Sequence, residues 1–397
     1  MDPERTSSVR VWPHVAPNAG SSADGAIWLP GTLAECYRSR SSLVIWGSIG
    51  IHPAEAAGTD LRRVGAHPDH WYPLAWSREV KRGKTLAVRF ADQLIVLVRT
   101  ESGAVFALED RCAHRQVPLH AGVVCGEELK CCYHGWRYDG AGRCVSVPYI
   151  GTDRHPNGVR AYPVQELEGL VFVFPGAPTL ADARLLPNLK RLSDPRYKTR
   201  RFGRKIACHY SFMHENLMDM NHQFLHRRLM GSIRTRCLGH RCEGATYEVR
   251  YTFSRTQGRQ PLAEAAIFGA KKGGAVDDED VMTIRTVYPH QTLDIRFGPD
   301  EPVMELFIAY VPQDAEQRTI RTFGTISVRR PKIPGLIQLG WPLLVWFTEG
   351  IFREDRWIVE REQEAWNRQG CDANQEIFPA IRDLRHFLAA HGTPPDA

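Results

Sequence analysis

The chain has 397 residues, 43% of them hydrophobic, 24% charged and 10% aromatic. That is enough for two domains of ordinary size, and it excludes a peptide, a fibrous chain and a wholly disordered one. The formal net charge of +6 is a mild basic surplus, too small over this length to imply nucleic acid. Ten Cys and sixteen His are more informative. Ten thiols fall far below disulfide-scaffold density, and the first twenty residues hold Asp2, Glu4, Arg5 and Arg10 with no apolar run of the signal-peptide kind. Reduced thiols or metal ligands in a cytoplasmic protein are the expectation.

Residues 1–65 are rich in Ser, Gly, Ala and Pro without a sustained period, and read as a poorly ordered extension outside the fold. The apolar piece 43–51 is too short to span a bilayer. From His70 the texture changes. Leu86, Val88 and Phe90 alternate, and LIVLV at 94–98 and AVFAL at 104–108 flank Thr100-Glu101-Ser102-Gly103, a hairpin signal. Short strands continue to 170–174, so 70–180 is predicted as a mostly antiparallel β domain.

A Pro- and Leu-rich linker near 177–195 leads into a second domain, 196–390. A helical stretch is predicted over 208–230. Long alternating strands follow, with Tyr247, Val249, Tyr251 and Phe253 on one face, then 281–297, 304–312 and 318–328, and helices over 352–369 and 376–390. This order predicts an α+β domain, an antiparallel sheet with flanking helices in a helix-grip-like arrangement. The uncharged segment 333–348 is short of the ~20 residues a span needs and contains Pro334 and Pro342. It reads as a buried or interfacial element rather than a transmembrane helix, with membrane association through it kept as the less favoured alternative.

Cys112-Ala113-His114 and, sixteen residues on, Cys131-Cys132-Tyr133-His134 supply two thiolates and two imidazoles on two tight loops. Such a set suits a structural zinc or an iron–sulfur cluster. Zinc fingers usually space their first pair by two to four residues, whereas here each loop supplies one Cys and one His, as a Rieske [2Fe-2S] cluster requires. CAHRQVPL and CCYHGWRYDGAGRC closely resemble the cluster loops of Rieske oxygenases, although Cys132 stands where that family usually has Pro. Cys125 and Cys132 are read as structural thiols, and the Tyr133 hydroxyl as a donor to a cluster thiolate.

On the 208–230 stretch, Glu215, Asp219, His222 and His226 fall at i, i+4, i+7 and i+11, one stripe of a continuous helix whose other faces are apolar. Burying four ionisable groups together costs several kcal/mol unless they pair or bind a cation. The segment resembles the mononuclear iron motif of Rieske non-haem iron oxygenases, with a gap of three residues between the two His where the family usually has four or five. The resemblance, over about 70–390, is nearest to single-subunit-type members such as vanillate demethylase, ketosteroid hydroxylase and pheophorbide a oxygenase.

It implies a terminal oxygenase component. Cys112, His114, Cys131 and His134 would hold the cluster. His222, His226 and Asp355 would hold Fe(II), with Glu354 and Glu362 as rivals to Asp355, and Asp219 would bridge His222 to His134 of a neighbouring subunit in a head-to-tail trimer. O2 would be co-substrate and a hydrophobic organic molecule would be hydroxylated, demethylated or oxidatively cyclised. No G-x-G-x-x-G dinucleotide motif or flavin motif is apparent, so NAD(P)H would act only through a ferredoxin or flavin reductase. The basic run Arg196, Lys198, Arg200, Arg201, Arg204 and Lys205 is a candidate ferredoxin dock, and the Gly-rich, acidic segment 255–280 a candidate lid. The alternative reading is a Rieske electron-transfer or redox-sensing protein with no second metal.

Overall fold

The computed structural model describes residues 60–149, 156–257, 280–297, 301–331 and 334–395. The extension 1–59 and most of the candidate lid lie outside the described residues.

The first part is built from three small antiparallel sheets. Lys84–Phe90, Gln93–Arg99 and Val105–Glu109 form a meander, and Ala161–Tyr162 adds an edge. Its predicted second turn forms as read: Thr100 Oγ1 accepts from the Gly103 amide at 3.2 Å, and Gly103 takes the positive φ of 107° that a side chain would oppose. A second sheet of very short strands, Val123–Cys125, Glu128–Lys130, Arg137–Tyr138 and Cys144–Ser146, carries the second Cys/His loop. These two sheets enclose a small core of Val96, Val98, Leu108, Leu119, Leu129 and Tyr138 that also contains Cys112 and Cys131.

The third sheet, Tyr72–Trp76, Leu170–Val173 and Val164–Leu167, belongs to the larger core. Leu170–Val173 is buried along its whole length, which explains its continuous apolar sequence. Phe172 and His290 pack ring to ring at 6.2 Å, and Trp76 lies 5.7 Å from Phe323. The two predicted domains thus share one continuous core.

The second part is an eight-stranded antiparallel sheet. Its order runs Tyr197–Phe202, Ile320–Arg329, Met304–Pro312, His290–Phe297, Asp280–Val287, Thr246–Gln257, Ser232–Glu243, with Lys205–Ile206 also pairing to Ile320–Arg329. Among the described residues four α-helices accompany it: α1 (Tyr210–Met218), α2 (Arg227–Met230), α3 (Leu336–Gln369) and α4 (Pro379–His391). The α+β architecture is as expected. Three local expectations are corrected.

The 208–230 stretch is not one helix. Asp219 leaves helical space at φ −87°, ψ 97°, and its carboxylate accepts from the Asn221 amide at 2.8 Å, capping a separate 3₁₀ turn over Met220–Phe224. A short acidic side chain that bonds the backbone ahead of it offers an alternative to continuing the helix. Glu215 therefore does not share a stripe with the His residues. It pairs with Arg62 at 2.6 Å and Arg385 at 3.0 Å.

That pairing moves the start of the fold. Arg62, placed by composition in the extension, has its side chain 1% exposed, lies 3.6 Å over the Phe212 ring and sits beside Leu61 in the core. Asp60 caps this first turn and accepts from the Trp366 indole at 3.0 Å.

The segment predicted over 333–348, from Leu336 onward, and the predicted helix 352–369 are parts of one helix, α3, with Pro342 inside it. Leu344, Phe347, Asp355, Val359, Gln363 and Trp366 form its buried stripe. At Gly350 the short helix α2 comes so close that a Cβ would stand 2.7 Å from Leu229 Cδ1. This close approach sets the His226 segment against the turn of α3 that bears Asp355.

Candidate metal centres

The first site is two tight turns. The Cys112 amide donates to the Val117 carbonyl at 2.9 Å, and the Cys131 amide to Trp136 at 2.8 Å, so each loop folds back on its own Cys. Both thiols are free and buried. The rings of His114 and His134 meet edge to face at 4.4 Å, and His114 stacks flat on Trp136 at 4.7 Å. His114 Nδ1 is buried without a hydrogen-bond partner, a state that costs free energy unless a ligand fills it. Burial pushes the Cys131 thiol up to about 11, so a bound metal must displace its proton. The two Cys and two His fit the donor chemistry of a Rieske cluster.

Tyr138, not Tyr133, reaches a thiol. Its hydroxyl accepts from the Ala113 amide at 3.1 Å and lies 3.2 Å from Cys112 Sγ, to which it donates once that sulfur is a thiolate. Tyr133 is exposed, with its ring against His134. Cys132 is exposed too, so it is not a buried structural thiol, while Cys125 is half-buried. The Tyr138 signal was present in the His-Gly-Trp-x-Tyr run, but spacing alone does not show which tyrosine turns inward.

The second site gathers residues 133 positions apart in sequence at its extremes, His222 and Asp355. His222 Nε2 and His226 Nε2 stand 3.1 Å apart, and Asp355 Oδ1 is 3.1 Å from the latter and 3.6 Å from the former. Each imidazole is fixed from behind. His226 Nδ1 donates to Glu354 Oε2 at 2.8 Å and His222 Nδ1 to the Asp219 carbonyl. With both Nδ1 atoms protonated, two ring lone pairs and a carboxylate oxygen converge on one point. Asp355 Oδ1 has no hydrogen-bond partner there. Ligand separations near 3 Å are what right angles between bonds of about 2.1 Å produce, and two His with one carboxylate leave one face open. Burial lowers the His226 pKa, but the Asp355 and Glu354 carboxylates outweigh it and hold the imidazole above its ordinary value.

Of the two rivals, Glu354 supports His226 from outside the trio, and Glu362 sits near Arg62, Glu215 and Asp372 instead. Asp219 caps the 3₁₀ turn and lends His222 its carbonyl. Beside the trio opens a cavity of about 190 Å³, walled by side chains such as Met220, Phe253, Met282, Leu293, Met304 and Ile351. Of these, the strand residues Met282, Leu293 and Met304 were not singled out in sequence, although their inward register follows the period-two alternation.

Residues 70–163 match the Rieske [2Fe-2S] domain family and 206–380 the vanillate O-demethylase oxygenase C-terminal domain family. A protein of Methylococcus capsulatus named 4beta-methylsterol monooxygenase is 33% identical over 82% of this chain and 89% of the relative. The chain belongs to the Rieske non-haem iron oxygenases. The oxygenase component of dicamba O-demethylase from Stenotrophomonas maltophilia is 38% identical over 40% of this chain and 47% of its own length. Among solved structures, dicamba monooxygenase bound to dicamba matches with a TM-score of 0.64 at 22% identity, over 81% of this chain and 97% of that one. This Rieske oxygenase is a terminal component, with a [2Fe-2S] cluster, a mononuclear iron and O2 as co-substrate. When bound, the cluster relays electrons received from a partner and the iron activates O2 beside the substrate.

Proposed function

We propose that this oxygenase inserts oxygen into an uncharged, largely apolar organic substrate seated in the cavity beside His222, His226 and Asp355. The lining carries the reading. Among the described residues it contains Asn216, Gln223, Thr235 and Thr348 as neutral polar groups, many Leu, Ile, Met and Phe side chains, and no Lys or Arg. A substrate carboxylate there would find no Lys or Arg, with the iron itself as its only counter-charge, and burying it away from that metal would cost several kcal/mol. The Methylococcus capsulatus relative is named for a methylsterol, and a polycyclic lipid with at most a hydroxyl is the class we carry to this chain.

In this reading Cys112, His114, Cys131 and His134 hold the cluster and His222, His226 and Asp355 the iron. Asp219 lies between His222 and His134 of the partner subunit in a homotrimer, and the free thiols suit a reducing cytoplasm. The basic run 196–205 is partly neutralised within the protein itself. Arg200 and Arg204 both turn onto Glu349, and Arg196 is taken by Asp194 and Glu301.

The test is turnover of matched neutral and carboxylated polycyclic compounds under ¹⁸O₂, with a surrogate ferredoxin and reductase. Label is expected in products of the neutral series, with kcat/KM on the order of tenfold or more above the acids. Equal turnover of the acids would remove the proposal.

A further inference from the structure

A helix at the surface of a globular protein normally turns one apolar stripe to the core and a polar face to water. The first part of α3 has apolar residues on both. Leu344 and Phe347 are buried, and Phe347, Ile351 and Phe352 line the cavity. Yet Leu339 is 82% exposed and Trp346 60% exposed, with Leu336, Pro342 and Leu343 also open to solvent on the outer side. From Leu336 to Thr348 there is no charged residue.

Leu336, Leu339, Leu343 and Trp346 fall at i, i+3, i+7 and i+10, one continuous stripe. Their exposed fractions amount to an area on the order of 400 Å², given ~150–250 Å² for a whole aromatic side chain. That falls within the ~300–600 Å² of the largest patch on a typical monomer, which is often functional, and is about half of the ~800 Å² per partner that a stable protein interface buries.

The surroundings are cationic. The Lys198 ammonium lies 4.5 Å over the Trp341 ring at the helix's side, and Arg330 is exposed where the preceding strand ends. The acid at the far end of the stripe, Glu349, is already taken by Arg200 and Arg204. No helix among the described residues is long and apolar enough to cross a membrane. A Trp- and Leu-bearing face flanked by cations, on a helix that cannot span, is the pattern of a segment lying in a bilayer interface.

We propose that the outer face of α3, through Leu336, Leu339, Leu343 and Trp346, rests on an anionic phospholipid membrane surface, with the substrate cavity opening off the inner face of the same helix. This deepens the apolar-substrate reading and rests on it for its purpose. A lipid substrate partitions into membrane, and an oxygenase seated there draws it from that phase rather than from water.

The experiment is flotation of the full-length holoenzyme with vesicles of phosphatidylcholine alone or with one-fifth phosphatidylglycerol, without substrate. Wild type is expected to float with the anionic vesicles and to be released by high salt. L339E/W346E is expected to lose on the order of tenfold or more in partitioning, with cluster absorbance, iron content and subunit stoichiometry unchanged. The milder pair Leu339→Ser and Trp346→Gln guards against misfolding, and Lys198→Glu with Arg330→Glu is expected to abolish the preference for phosphatidylglycerol. Wild type that stays with the protein fraction, or variants that float equally, would overturn the proposal. So would a variant that loses its assembly state by light scattering, since the face would then belong to a second copy. Because flotation is scored without substrate, its failure leaves the cavity reading standing. Failure of detergent-dispersed neutral substrates to turn over leaves the docking result standing.

Discussion

Glu354 accepts the Nδ1 hydrogen of His226 at 2.8 Å while its chain neighbour Asp355 faces the Nε2 of the same ring at 3.1 Å. Adjacent residues of one helix thus hold opposite edges of one imidazole. The pair fixes which nitrogen is free to coordinate, the role that a carboxylate behind a metal-bound His usually plays. Glu354→Ala is expected to weaken metal binding at the mononuclear site by about 10–100-fold, with Glu354→Gln closer to wild type because its amide oxygen can still accept. Co(II) titration of protein stripped of mononuclear iron measures this without turnover. Unchanged affinity in Glu354→Ala would show that the hydrogen bond does not position the ring.

The Tyr138 hydroxyl lies 3.2 Å from Cys112 Sγ, and a thiolate there can only accept its hydrogen. A hydrogen bond to a cluster thiolate stabilises the more electron-rich, reduced state. Tyr138→Phe is therefore expected to lower the cluster potential. A differential of about 1 kcal/mol corresponds to roughly 40 mV for one electron. Tyr133→Phe, altering an exposed ring, is expected to leave it within error. Redox titration followed by EPR separates the two, and an unmoved potential in Tyr138→Phe would contradict the geometry.

The trio of His222, His226 and Asp355 predicts a separable loss of metal. Wild type should carry about three irons per chain, two in the cluster and one mononuclear. Asp355→Ala and His222→Ala should carry about two, keep the Rieske absorbance and lose oxygenation. Loss of the Rieske signal in either variant, or retention of the third iron in both, would count against the assignment.

How much was legible follows from how local each feature is. That Cys112, His114, Cys131 and His134 come together was readable because each loop places its Cys and His within four positions, so sequence spacing is nearly the geometry. His222 and His226 were readable for the same reason, yet their helix was not: periodicity predicts one continuous element, and only the Asp219 side chain turning back on Asn221 breaks it. Asp355 rested on resemblance, since nothing local ties it to residues 129 and more positions earlier. Arg62 was hidden because its neighbours are compositionally bland, and burial of a guanidinium against Phe212 and Glu215 is a tertiary fact. The charge-free stretch in α3 was read as buried or interfacial. Its inner side is buried, and its outer side is not.

The buried histidines under α1 give the last prediction. His214 and His290 are almost wholly inaccessible; burial lowers them to about 3 and about 4, with their mutual repulsion a further cause at His214. A depressed folded-state value means that the unfolded chain binds the proton first. Stability is then full above the unfolded value near 6.5 and falls as pH drops toward 4, by about 1.4 kcal/mol per unit for each such group. Unfolding should take up close to two protons from these two sites near pH 5. Both ring nitrogens of His214 lack hydrogen-bond partners and its ring packs on Tyr310 at 4.8 Å, so His214→Phe fits the site and should remove one proton from the slope. Urea unfolding from pH 7 to pH 5 checks it. A flat profile in wild type, or a slope that His214→Phe leaves unchanged, would show that the ring is charged or solvated in the folded protein.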